Sequence, residues 1–197
     1  MEFQRNWIGL YKPKSIQIEQ KSKSETYGKF VCQPLEKGYG LTIGNSLRRI
    51  LLSSIQGPAI TKIKIDGVQH EFSTITGIKE DVTEIILNLK QISLKMDTYE
   101  PQILNLSYAG EGEVTAKDIE TNQHVEIVNP DQFIATLSES AKLDMELTIE
   151  MGRGYVTTES RDDGSHSIGE IPIDAIFSPI KKVNYNVTAA RVGRRTD

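Results

Sequence analysis

Gly38, Gly40 and Gly44 stand in the run GYGLTIGNSLRRILLSS, and closely spaced glycines ahead of a helix are the residues that cradle phosphate. The spacing is G-x-G-x-x-x-G, one residue longer than the dinucleotide fingerprint, without a buried apolar strand just before it. No G-x-x-x-x-G-K-[ST] follows, so no phosphate cradle is expected. His70 and Glu71 begin the pattern of a zinc helix, but position 74 is Thr74 and the second ligand is missing. His124 and His166 are far from His70 in sequence. Cys32 is the one thiol. In the apolar run Phe30-Val31-Cys32 it reads as a small buried hydrophobe rather than a nucleophile. Asp162 and Asp163 are cation ligands by type, yet adjacent carboxylates in a polar loop with no third ligand nearby read as a solvated turn. Gly152-Arg153-Gly154-Tyr155 has the composition of an RNA-binding arginine-glycine segment, and as one copy after a regular strand it reads as a hairpin turn. No acid, base or nucleophile is arranged for catalysis, and no cofactor or metal is expected.

The glycine run leads into a helix pattern. Ile43, Leu47, Ile50 and Leu51 recur at i, i+4, i+7 and i+8, one apolar stripe, with Arg48 and Arg49 off it. Thr42 is the expected N-cap, and Gly38 and Gly40 allow a bend before it. Leu52 and Ile55 form a second flank with Arg48, so the helix is apolar on more than the one side a sheet can cover. Two readings stay open. The stripe packs on the chain's own sheet with the arginines solvated, or the helix lies at a subunit interface, where the arginine fork pairs with carboxylates.

A second helix is predicted over 78–90 from Ile78, Val82, Ile85, Ile86 and Leu89, with Glu80, Asp81 and Glu84 in its first half and Lys90 at its end. Elsewhere a period of two dominates. Leu143, Met145, Leu147, Ile149 and Met151 alternate with polar residues, as do Val183, Tyr185 and Val187. Ile16 with Ile18, Phe30 with Cys32, Ile63 with Ile65, and Leu104 with Leu106 give shorter versions. The expected class is α+β, mostly antiparallel sheets with two main helices. The polar stretch 157–167 reads as a surface loop.

With 197 residues, 38% hydrophobic and 25% charged, the chain has ordinary globular composition and room for a real core. A net charge of −4 argues against binding nucleic acid by phosphate neutralisation, so no direct DNA contact is expected. No apolar run reaches the roughly 18 residues of a membrane span, and the start MEFQRNWIGLYKPK lacks a signal-peptide core. No membrane association and a cytoplasmic location are expected, and a single cysteine fits a reducing compartment.

The run GYGLTIGNSLRRILLSS, followed in order by IDGVQHEFSTITGIKEDVTEIILNLK, GRGY and YNVTAARV, resembles the amino-terminal domain of the alpha subunit of bacterial-type RNA polymerase. The resemblance implies a dimerisation domain, 1–56 plus 175–197, interrupted by an inserted β-rich domain, 57–174. It also implies a non-catalytic assembly subunit of DNA-directed RNA polymerase. Two copies form a homodimer, one docking the beta and the other the beta-prime subunit, and the large subunits hold the catalytic magnesium for nucleotidyl transfer.

On matching positions it implies a dimer interface at Tyr39, Ile43, Leu47 and Ile50, and beta-subunit docking by Arg49 with Asn45, Leu52 and Ser53. Lys90 and Ile173-Asp174 match positions linked to the beta and beta-prime surfaces. Family members continue past the final Arg-Thr-Asp into a further dimer helix, a linker and a DNA- and activator-binding domain, so weaker dimerisation and no promoter-element contact are expected here. A small-molecule enzyme and a dimeric scaffold unrelated to transcription are the other classes, told apart by nucleotide-induced stabilisation and by what copurifies.

Overall fold

Two units divide the chain, Met1–Ile50 with Val183–Asp197 and Leu51–Lys182. The computed structural model describes residues 11–161, 169–189, 191–192 and 195–196. Asp162, Asp163 and His166, and most of the loop expected at 157–167, lie outside the described residues. In the discontinuous unit, strands β1 (Ile16–Ile18) and β2 (Phe30–Cys32) form an antiparallel pair, with Ile16 opposite Cys32 and Ile18 opposite Phe30. Helix α1 (Tyr39–Ser53) follows and runs into the second unit.

The second unit contains β3 (Gln56–Ile65), α2 (Val82–Leu89), β4 (Leu94–Met96), β5 (Gln102–Ala109), β6 (Gly112–Thr115), β7 (Ile119–Glu120), β8 (Val125–Ile127) and β9 (Phe133–Leu137). It continues through β10 (Lys142–Arg153), β11 (Tyr155–Val156), α3 (Thr158–Arg161), β12 (Glu170–Pro172) and β13 (Ala175–Ile176). The short pair β14 (Arg191–Val192) and β15 (Arg195–Thr196) returns to the first unit. The class is α+β, as the patterns predict.

The long alternating run becomes β10, the centre of an antiparallel sheet in the order β12-β3-β10-β5-β7. Register converts the alternation into rows across the sheet. Leu147 faces Ile63 on one side and Leu104 on the other, and Met145 faces Ile65 and Leu106. These residues are buried in one cluster with Val82, Ile85 and Leu89 of α2. Each such side chain contributes roughly 1.5–3 kcal/mol by leaving water. The opposite face is polar, with Glu146 between Lys64 and Asn105. A one-residue slip would invert both faces at once, which is why the register is firmly specified.

Several local expectations are corrected. The second helix begins at Val82, not Ile78, because Asp81 and Glu84 close a capping box, the Glu84 N–H donating to Asp81 Oδ1 at 2.7 Å. Glu80, expected to favour the helix dipole, instead accepts from the Thr136 N–H at 2.6 Å and anchors β9, while Ile78 bridges Leu137. Helix α1 starts at Tyr39, so Thr42 is interior and only Gly38, at φ +84, precedes the helix. Gly154 at φ +64 does turn the chain after β10, yet the strand it leads to pairs with β13 rather than folding back on β10. Residues 183–187 form no strand, because their backbone pairs with none of the described segments. Cys32 is half-buried rather than fully so.

Candidate assembly surface

Along α1, the stripe of Tyr39, Ile43, Leu47 and Ile50 recurs at helical spacing, and α1 has no buried residue over its whole length. Tyr39 is 43%, Leu47 50% and Ile50 52% exposed, with Ile43 half-buried. Leu41 adds a further exposed apolar side chain. A stripe of this kind normally earns its place by facing a core, and here it is left open along the described helix.

A different side of α1 is covered from within the same unit. A Cβ on Gly44 would stand 2.5–2.9 Å from three ring carbons of Tyr185, and one on Gly40 would stand 2.8 Å from Val187 Cγ1. Real Cβ atoms do not approach so closely, so Gly40 and Gly44 form a notch that admits residues 185 and 187. The Tyr185 hydroxyl then donates to Asn45 Oδ1 at 2.6 Å. Sequence reasoning treated Gly40 as part of a bend, Gly44 only as the end of a failed phosphate pattern, and Tyr185 as a strand residue. The signal that could have found the notch is the i, i+4 glycine spacing inside a helix.

Asn45, Arg49 and Ser53 follow at i, i+4 and i+8 along α1, with Leu52 beside them. Asn45, Arg49 and Ser53 are exposed and Leu52 is half-buried. The helix carries two arginines and no acid, which gives it a cationic side. In the second unit the carbonyl of Ser53 lies close to Gly154, where a Cβ would be 3.1 Å from it. The GRGY turn thus supports the end of α1.

Lys90 and Asp174 form a second patch. Asp174 accepts from the Thr158 N–H at 2.8 Å and the Tyr155 hydroxyl at 2.9 Å. The Thr158 N–H most of all, then the Tyr155 hydroxyl, hold its carboxyl below the usual range; partial burial opposes this and the nearby Lys90 charge reinforces it. Ile173 is a correction: at 2% exposure it belongs to the core, its N–H donating to the Thr61 carbonyl at 2.8 Å, so only its neighbour Asp174 faces outward. Among the described residues no group of three or more His, Cys, Asp or Glu side chains is placed to hold a metal. No described helix is long and apolar enough to cross a membrane.

Residues 63–178, inside the second unit, match the family model of the RNA polymerase Rpb3/RpoA insert domain. The chain belongs to the RNA polymerase alpha-subunit family. Across 193 residues it is 54% identical to a DNA-directed RNA polymerase subunit alpha of Desulfovibrio desulfuricans, covering 98% of this chain and 56% of that relative. The corresponding subunit of Lawsonia intracellularis is 56% identical over 193 residues, 98% of this chain and 56% of the relative. That of Symbiobacterium thermophilum is 56% identical over 190 residues, 96% of this chain and 60% of the relative. This alpha-family chain therefore spans somewhat over half the length of the curated relatives it matches.

Proposed function

We propose that this chain is the assembly portion of a DNA-directed RNA polymerase alpha subunit and carries no active site of its own. The observation that carries the reading is a fifteen-residue helix with an apolar stripe, paired arginines and no buried residue. The discontinuous unit pairs with a second copy through Tyr39, Ile43, Leu47 and Ile50, and the inserted unit lies beside it in sequence. A two-fold dimer presents every other surface twice, which suits a platform for two different large subunits.

Arg49, with Asn45, Leu52 and Ser53, docks the beta subunit through carboxylates on that partner. Lys90 and Asp174 serve the beta or beta-prime surface, with Ile173 buried behind them. Nucleotidyl transfer on this reading belongs to the large subunits, in the cytoplasm. The family membership supports it, as does the acidic net charge, which disfavours direct DNA contact by this portion.

The test is capture of partners by the tagged chain from lysate of its own source, beside Arg49→Ala. Two very large partners are expected with the wild type. Loss of a buried charge partner costs roughly 2–5 kcal/mol of binding, so the variant should lose most of the captured beta subunit at an unchanged melting temperature. A folded wild-type dimer that captures neither partner contradicts the proposal.

A further inference from the structure

We infer that Tyr185 is a positioning residue of the docking face, fixing the Asn45 amide in the orientation α1 presents to its large partner; this rests on the docking role proposed above. Asn45 is exposed, and a lone exposed amide samples several rotamers that binding must then freeze. Here the choice is made in advance. The Tyr185 ring sits in the notch left by Gly44, and its hydroxyl donates to Asn45 Oδ1 at 2.6 Å from 140 positions away in sequence.

With its oxygen engaged, the amide has its two N–H donors left to offer. Those donors stand one helical turn before the Arg49 guanidinium, on the same side of α1. A carboxylate-bearing partner segment would meet donors at both positions. The ring alone explains the packing against Gly44. The hydroxyl is explained by Asn45, its partner among the described residues.

Tyr185→Phe separates the two roles, because it keeps the ring and removes the donor. The affinity of this chain for the beta subunit of its own source is measured for wild type, Tyr185→Phe, Asn45→Ala, the double variant and Arg49→Ala. Tyr185→Phe is expected to weaken binding roughly threefold to tenfold, the worth of one hydrogen bond, with melting temperature and dimerisation unchanged. The double variant should bind no worse than Asn45→Ala alone, since the hydroxyl acts through that amide.

Wild-type affinity in Tyr185→Phe, additive losses in the double variant, or an affinity loss matched by a fall in melting temperature overturns the inference. If Arg49→Ala is weakened while Tyr185→Phe is not, only the role of Tyr185 falls. If Arg49→Ala also binds like wild type, the docking reading itself is wrong and the positioning role falls with it.

Discussion

Tyr155 donates its hydroxyl hydrogen to Asp174 Oδ2 at 2.9 Å, while the Thr158 N–H donates to the other oxygen at 2.8 Å. One carboxylate therefore ties β11, the first residue of α3 and the link between β12 and β13. The same two bonds leave Asp174 ionised on the surface proposed to meet a large subunit.

These bonds make the local stability depend on pH in a defined window. The Asp174 carboxyl is held low, first by the Thr158 N–H and then by Tyr155, so its contribution is present above the unfolded value of about 3.9 and fades as pH falls through the lower folded value. Tyr155 is pushed up, chiefly by its bond to Asp174, so its contribution is full below about pH 10 and fades as pH rises through the higher folded value. Tyr155→Phe should therefore lower the urea midpoint by a constant amount between about pH 5 and 9, and the deficit should shrink below about pH 4. A deficit that persists unchanged into acid would show that the Asp174 charge is not involved.

Leu47→Asp places a charge in the middle of the open stripe. In the monomer the side chain is 50% exposed, so folding should change little. Across a two-fold interface the charge is buried without a partner, a loss of about 3–5 kcal/mol, which is a factor of at least a hundred in dimer affinity. Sedimentation velocity should show a monomer with wild-type circular dichroism. A dimer of undiminished affinity would move the interface off this stripe.

Gly44→Ala sets helix propensity against packing. Alanine is favoured over glycine inside a helix by about 1 kcal/mol. The added methyl group would meet three Tyr185 ring atoms within 2.9 Å, and crowding of that kind typically costs 1–3 kcal/mol. The variant should be less stable than wild type in urea unfolding. In a Tyr185→Ala background the same change should become stabilising by about 1 kcal/mol, and a gain in both backgrounds would show that the notch is not filled in solution.

The same glycines show where the sequence stops speaking. Period two at 143–151 names both faces of β10 because every second residue meets a core that the chain itself supplies. Period two at 183–187 says only that the chain is extended there. Pairing needs a neighbour, and Tyr185 and Val187 spend their side on α1 instead. The stripe on α1 was legible at once, but whether it faced a sheet or a partner was not, because periodicity fixes a face and not its occupant. Lys90 and Asp174 lie far apart in sequence, and the charge coupling between them appears only once α2 and the β12–β13 link are folded. Ile173 was legible by the period-two rule: Ile171, Ile173, Ala175 and Phe177 alternate with Pro172, Asp174 and Ile176, and all four are buried.

Gly152 and Gly67 offer a paired test of why glycines are where they are. A Cβ on Gly152 would lie 2.6–2.7 Å from three ring carbons of Phe177. That ring is 5% exposed, and its backbone is held by the N–H to the Gly154 carbonyl at 2.8 Å, so it cannot swing aside. Phe177 also makes a small cluster with Ala59 and Ala175, which shares the strain. Gly152→Ala should cost about 3 kcal/mol, the upper part of the overpacking range. Gly67 differs in kind: it has φ +76 with open space around it, so Gly67→Ala should cost only the left-handed backbone penalty of about 1–2 kcal/mol. Calorimetric melting of both variants should rank Gly152→Ala clearly below Gly67→Ala. A reversed order would mean that Phe177 yields to the added methyl group and that its seat does not dictate glycine at position 152.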